Sequence, residues 1–518
     1  MPPPLPETSA CDVRGPLRTH NDLGRLRRWG PLLCLALLTA VYLVPTCMRA
    51  AREKLWFDEI YTFDAATLLP SLESLWSALQ QVEATPPLVF VLAAGSESIF
   101  GQNEFGLRFP SVIAFWVMAL CLYVYLSRRI PRSFAMAAML LTVLTAAGRY
   151  SYEARPYALM LAFAGIALIA WQAAAEGRRR RTALVALGAA LAAALCSHSM
   201  AVTLALPFLV AEIARTMQRK RVDWPVWCAF ASATPALLLI WKLKSAADLS
   251  KYRHFTGSLP GHIVTTYLQM LRPAMAPLAL AFVGVLVLRM QQTSKAKRAP
   301  GMRTYELAAL AGFALIPFAA VPISTLADRY WLRYSLNCTI GLAGLLVLFM
   351  FWIGATSRLA GVTVLIIFEV AFAIGQFLPE NKRPDNGLKL VNSSAEIQPF
   401  LTQIPSDAPI VICSDLTFVE LEHYSSPKMA ARLYYLTDRA AAAAIDGDTL
   451  FEVRGWLLGR VFPFHANFAD YHAFVAAHKR FYVVRPIRNI VREYLAGRID
   501  LQPRETAGHF QYYEASTR

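Results

Sequence analysis

Long apolar runs, each near the length of a bilayer crossing, alternate along the first three-quarters of the chain with short polar segments. They fall at residues 31–48, 108–127, 133–150, 155–175, 182–200, 201–216, 224–242, 263–289, 304–323, 333–353 and 359–378. A hydrocarbon core of ~30 Å needs about 20 helical residues, so the pattern predicts eleven membrane-crossing helices. Within 182–216 no charged loop separates the two halves. The first run follows Arg25, Arg27 and Arg28 and lacks a small-residue cleavage site, which reads as a retained helix, not a removable signal. After about residue 378 the pattern shortens into strand-like runs at 410–413, 433–436 and 481–484, alternating with helical stretches such as 416–424 and the alanine run 440–444. The predicted architecture is mainly α. An N-terminal tail, 1–30, precedes a polytopic membrane helix bundle, 31–378, with a long loop at 49–107. A small α/β domain, 379–518, closes the chain.

Loop charge orients the bundle. Lys and Arg should gather in cytoplasmic loops, and with a cytoplasmic N-terminus these are the even-numbered turns. They carry Arg128, Arg129 and Arg132; Arg178 to Arg181; Arg215, Arg219, Lys220 and Arg221; and Lys295, Lys297, Arg298 and Arg303. The loop 49–107 instead carries Glu53, Asp58, Glu59, Asp64, Glu73, Glu83, Glu97 and Glu104. An odd number of spans then places the C-terminal domain outside. Lys242, Lys244, Lys251 and Arg253 depart from the trend on the outer side. They read either as lysines snorkelling to headgroups or as cations meeting an anionic substrate group.

Composition agrees: 56% of residues are hydrophobic and 17% charged, and mean hydropathy is +0.40, which excludes an ordinary soluble globule. The net charge of +16 would suggest nucleic acid in a soluble protein. Here the basic loops face anionic lipid, and no nucleic-acid partner is inferred. The eight cysteines form neither a disulfide framework nor a CxxC motif.

The loop 49–107 is long for a connection in a compact bundle. Trp56, Phe57, Tyr61, Phe63, Leu68, Leu69, Leu72, Leu75 and Trp76 give it apolar anchors, so it reads as amphipathic helices on the outer face. Asp58 and Glu59 follow Trp56 and Phe57 directly. A carboxylate beside aromatic groups suits a general base; acids favoured by a helix N-terminus are the plainer explanation.

The ordered segments LWFDEIYTFDAA (55–66), TPPL (85–88), IFGQNEFGLRFPSVIAF (99–115), SYEARPYALML (151–161) and RYSLNCTIGLA (333–343) resemble membrane-embedded glycosyltransferases of the GT-C fold. They are most similar to the bacterial group that includes the dolichyl-phosphate-mannose-type protein mannosyltransferases and the aminoarabinose lipid A transferase. The resemblance covers roughly residues 30–375, and all five segments fall on the side that loop charge places outside. It implies transfer of a sugar from a polyprenyl-phosphate donor to a lipid, glycan or protein acceptor, with inversion. Asp58 is implied as base, with Glu59 in support or on the acceptor. Arg155, Tyr157, Arg333 and Tyr334 are implied at the donor phosphate, with Lys251 or Arg253 as further candidates and Arg329 nearby. Glu153 shares the outer end of its span. The PPL turn of the group is often preceded by a His or Glu near a metal or the acceptor. Here that position is Thr85, a poor ligand, with Glu83 close by, so no cofactor is certain and a divalent metal stays open.

The remaining polar residues point to simpler roles. Glu369, inside the last span, reads as a contact to a neighbouring helix. His198 reads as a residue at headgroup level, with a place in a catalytic cavity as the alternative. His465, His472 and His478 read as a solvated surface. A transporter or lipid flippase would place charged or broken helices at mid-bilayer with internal repeats, and no repeat is evident. A ligase using a diphosphate-linked donor would favour a large outer loop late in the chain, whereas this one is early.

Overall fold

The computed structural model describes residues 19–69, 71–81, 85–246, 259–291, 301–325, 330–354, 357–377, 393–445, 458–486, 499–507 and 510–517. Glu83, Lys251, Arg253 and Arg329 lie outside them. The membrane part runs α1 (Thr19–Arg52), α2 (Phe57–Thr67), α3 (Leu72–Gln81), α4 (Leu88–Phe100), α5 (Glu104–Ser127), α6 (Arg132–Leu144), α7 (Tyr157–Ala175), α8 (Arg180–Ser197), α9 (Ala205–Arg219), α10 (Trp224–Ala231), α11 (Thr234–Ala246), α12 (Leu259–Leu271), α13 (Met275–Met290), α14 (Thr304–Ala314), α15 (Ile316–Thr325), α16 (Cys338–Ile353) and α17 (Arg358–Phe377).

Among the described residues nine helical segments are long and apolar enough to cross a membrane. They match nine of the eleven predicted spans; the other two, at 133–150 and 333–353, appear as the shorter helices α6 and α16. Both shorten because a 3-10 turn replaces α-helix at one end: Ala146–Ser151 follows α6, and Leu332–Ser335 precedes α16. The loop between the first two spans is helical, as its anchors predict, and contains the apolar helix α4.

α5 fixes where this loop returns to the bundle. Gly101, at φ +89°, ends α4, and the Asn103 side chain accepts the Gly106 N–H at 2.9 Å to cap α5. Elsewhere helices approach closely through glycine: a Cβ on Gly341 would lie 2.2 Å from the Ala314 backbone nitrogen, so α14 and α16 meet along their backbones.

The ends of the bundle are chemically distinct. At the end where α5 and α7 finish, Arg129 bonds the buried Glu306 at 2.7–3.1 Å and also reaches Glu176, while Gln172 donates to Glu306 at 3.0 Å. Nearby, Arg215 binds Glu212 at 2.7 Å and Asp223 at 2.8 Å, and Arg180 and Arg219 also reach Asp223. Part of the basic loop charge, that of Arg129, Arg180, Arg215 and Arg219, is therefore neutralised inside the protein. Within the last span, the Cys34 thiol of α1 meets Glu369 at 3.6 Å, a helix-to-helix contact as expected.

The C-terminal domain is a six-stranded mixed sheet in the order β3-β2-β1-β4-β6-β5, built from β1 (Ile410–Ile412), β2 (Leu433–Thr437), β3 (Asn467–Asp470), β4 (Arg480–Pro486), β5 (Ile499–Ala507) and β6 (Phe510–Thr517). β3, β2, β1 and β4 pair in parallel; β6 and β5 close the edge antiparallel. The helix predicted at 416–424 is present as Asp415–Tyr424, and the alanine run lies in the helix Arg439–Ile445. The domain sits on the loop helices: Ile60, Ala66, Ala93 and Leu107 share one buried apolar cluster with Ile397, Phe400, Phe418 and Val419. The Tyr424 hydroxyl accepts the Leu55 N–H at 2.6 Å and donates to Glu104 at 3.1 Å.

Asp64 of α2 faces Glu422 across this junction. Burial and then Glu422 push the Asp64 carboxyl up to about 8, and burial raises that of Glu422 as well. The docked form thus holds protons that the unfolded chain releases near 3.8 for Asp and 4.5 for Glu. Docking stability is full below those values and falls as pH rises toward about 8. Thermal unfolding between pH 5 and 9 should show a melting temperature that declines with pH, and Asp64→Asn should make that slope shallower, most clearly between pH 7 and 8. An unchanged slope in the variant would count against the acidic pair.

Candidate active site

Both acids of the Asp58–Glu59 pair occupy the first turn of α2, where a helix N-terminus favours negative charge. Their partners separate them. Glu59 is completely buried and takes Arg108 through both oxygens, Nε to Oε1 at 2.7 Å and Nη2 to Oε2 at 2.6 Å. Its Oε1 also accepts the Ala154 N–H at 2.7 Å, and Oε2 the Trp56 N–H at 3.4 Å. Arg108 further donates to the backbone carbonyls of Ala50 (3.0 Å), Glu53 (2.5 Å) and Lys54 (2.9 Å). All five guanidinium N–H groups are thereby used, three of them on carbonyls at and just beyond the end of α1, which lack helical partners. The pair ties α1, α2, α5 and the segment before α7 together. Sequence reasoning passed over Arg108, although the arginine stands in the quoted segment 99–115.

Asp58 points the other way and keeps 17% of its side chain exposed. Its Oδ2 receives Arg155 Nη2 at 3.2 Å and Arg333 Nη1 at 3.3 Å, and Arg155 Nη1 donates to the Asp58 carbonyl at 3.2 Å. Among the described residues no group hydrogen-bonds Oδ1. Arg155 lies in the turn that precedes α7, and Arg333 in the 3-10 turn before α16, so three distant segments converge on one carboxylate.

Aromatic rings line the same place. Tyr157 lies under both guanidiniums, 5.9 Å from Arg155 and 6.0 Å from Arg333, and Trp331 is 5.0 Å from Arg333. Tyr150 packs edge-on to Tyr157 at 5.2 Å; His198 lies 5.0 Å from Tyr157 and 5.9 Å from Tyr334. The five residues Asp58, Arg155, Tyr157, Arg333 and Tyr334, named from separate segments, thus form one cluster. Glu153 is beside it, bonded by Arg149 Nε at 2.7 Å; burial raises its carboxyl to about 7 against the opposing pull of Arg149. His198, expected at headgroup level, is instead buried within the cluster. Lys242 is placed elsewhere, over the Trp76 ring of α3 at 5.7 Å.

Thr85 lies at the start of α4's approach, and no three His, Cys, Asp or Glu side chains gather to hold a metal among the described residues. His465 and His472 lie on the surface of the C-terminal domain, more than half exposed, beside Glu422 and Asp438.

Residues 84–241 match the family model described as dolichyl-phosphate-mannose-protein mannosyltransferase. The crystal structure of ArnT from Cupriavidus metallidurans in the apo state aligns over 95% of this chain and 98% of its own, with a TM-score of 0.58 at 12% identity. The same protein bound to undecaprenyl phosphate aligns over 93% of this chain and 97% of its own, with a TM-score of 0.54 at 13% identity. The chain has the GT-C fold. No curated protein sequence gives a significant match. The matched family segment carries Arg108, Arg155, Tyr157 and His198; Asp58 and Arg333 lie on either side of it. Apolar helices and a shared fold together describe a multi-pass membrane protein.

Removing one partner of the Glu59–Arg108 pair strands a buried charge, which costs about 3–5 kcal/mol. Arg108→Met should therefore lower the melting temperature in detergent sharply. Arg108→Met with Glu59→Leu should recover part of the loss, though not the Ala154 and Trp56 hydrogen bonds. Equal melting of Arg108→Met and the unmodified protein would show the pair to be dispensable.

Proposed function

We propose that the protein is a glycosyltransferase that moves a sugar from a polyprenyl-phosphate carrier to an acceptor at the outer face of the bacterial inner membrane. The N-terminus is cytoplasmic and the C-terminal domain periplasmic in this reading. The observation that carries it is Asp58, with Oδ2 held by two guanidiniums and Oδ1 open. An open oxygen can take the proton of an acceptor hydroxyl or amine, while guanidiniums alongside receive a phosphate. ArnT, which shares the fold, has been crystallised with undecaprenyl phosphate.

The chemistry follows from those positions. The acceptor oxygen or nitrogen attacks the anomeric carbon from the face opposite the phosphate, and the bond from that carbon to the phosphate oxygen breaks, inverting the centre. Asp58 Oδ1 takes the acceptor proton. The leaving phosphate gains negative charge, and Arg155 and Arg333 stabilise it as fixed donors in a partly dry site. Because the arginines also hold Asp58, an arriving phosphate competes for them and loosens the carboxylate as the donor binds. The lipid tail keeps the donor in the bilayer, so encounter needs less ordering. In this reading the C-terminal domain, seated on α2, helps choose the acceptor. The open carboxylate oxygen and its two guanidiniums lie together at one end of the bundle, an arrangement that suits surface chemistry better than passage across the bilayer.

Wild type in nanodiscs, given a panel of radiolabelled polyprenyl-phosphate sugars and a membrane extract as acceptor, should transfer from one donor. Asp58→Asn should cut that transfer by at least ~10²-fold, as expected for loss of a general base. Arg333→Gln should reduce it by roughly 10²-fold or more, as for an electrostatic donor. Undiminished transfer by Asp58→Asn would remove Asp58 as the base.

A further inference from the structure

His198 has a determined hydrogen-bonding state. It breaks the chain between α8 and the 3-10 turn Ser199–Leu204, with extended backbone at φ −152° and ψ 138°, and its Nδ1 accepts the Met200 N–H at 3.0 Å. With Nδ1 acting as acceptor, a neutral ring carries its proton on Nε2. Accepting that N–H requires Nδ1 to be unprotonated, so the capped ring is neutral. Among the described residues Nε2–H has no acceptor. It is not among the sealed, unpartnered atoms of this end, which include Trp56 Nε1, Arg333 Nε and the Asn337 amide. The residue as a whole retains 8% exposure. A donor that is open and fixed in direction, on a ring packed against the same Tyr157 that underlies both guanidiniums, lacks only an anionic acceptor.

We infer that His198 Nε2–H is a third, uncharged donor to the phosphate held by Arg155 and Arg333. The inference rests on the proposed function and names a ligand contact for that same site. Three features favour a phosphate oxygen over a cationic or apolar group: the neighbouring cations, the packing of the ring against Tyr157 and Tyr334, and the fixed tautomer. A neutral donor adds affinity without drawing further on Asp58 and without titrating across physiological pH.

Two substitutions separate this role from helix capping. In His198→Asn the side-chain oxygen can still accept the Met200 N–H, but the Nε2 donor is gone. In His198→Gln an amide N–H2 lies near the position of Nε2, while the cap is lost. Binding of radiolabelled undecaprenyl phosphate would be compared with undecaprenol, which lacks the phosphate, in detergent micelles, with melting temperatures alongside. His198→Asn should weaken undecaprenyl phosphate binding by at least about 10-fold, the share of one hydrogen bond to a charged group. Its undecaprenol binding and melting temperature should stay near wild type. His198→Gln should keep undecaprenyl phosphate affinity within about threefold, and the ratio should not vary between pH 6 and 8. Unchanged phosphate discrimination in His198→Asn, or equal losses in both variants, would overturn the inference while leaving the functional reading in place. Failure of the wild type to prefer undecaprenyl phosphate over undecaprenol would bring down the functional reading, and this inference with it.

Discussion

An arginine placed near the edge of a bilayer and cut off from water must have every N–H bonded within the protein, and Arg108 meets that demand. Its five donors reach two oxygens of Glu59 and three carbonyls at the end of α1. Desolvating such a pair is costly and is repaid only when the geometry leaves nothing unmatched. The pair therefore dictates the turn from α1 into α2 and, through Glu59 and the Ala154 N–H, the position of the segment that carries Arg155. Asp58 precedes Glu59 by one residue. Its direction toward Arg155 and Arg333 is a consequence of where Glu59 is anchored.

The same device recurs at the opposite end of the bundle with another outcome. Arg129, Glu306, Glu176 and Gln172 form a network, and Arg215, Glu212 and Asp223 another, in which the carboxylates meet several donors each. Saturated networks lock helices and leave nothing for a ligand. The Asp58 cluster differs because one carboxylate oxygen and one imidazole N–H stay open beside two guanidiniums. Openness, more than charge, separates the two ends.

Much of this was legible in the chain. Apolar length predicted the bundle, since hydrocarbon thickness leaves few alternatives, and alternating short runs predicted the α/β domain. Length alone did not show that α6 and α16 give way to 3-10 turns, because the turns AAGRYS and LRYS are too short to break an apolar run counted by length. Asp58, Arg155, Tyr157, Arg333 and Tyr334 were found through the order of five short segments; no spacing rule brings together residues 275 positions apart. Arg108 was overlooked because an arginine at a span end is usually an anchor at the headgroups. Glu176, Glu212, Asp223 and Glu306 were hidden in basic surroundings, since counting charge along a loop misses partners that are adjacent only in space. His198 looked interfacial because nothing in the residues around it shows which ring nitrogen will be occupied.

Three 3-10 turns, Ala146–Ser151, Ser199–Leu204 and Leu332–Ser335, lie next to the clustered side chains. Irregular backbone at membrane depth is tolerated only where protein buries it or where it lines a hydrated cavity. Each turn also ends a helix early, which lets a side chain leave the bundle along its axis instead of sideways into lipid. Arg333 lies in one of these turns, His198 caps another, and Arg155 follows the third by four residues. The breaks and the polar cluster are thus one feature. Backbone groups freed from the helical ladder and the polar side chains of the cluster are gathered at one place by these three turns.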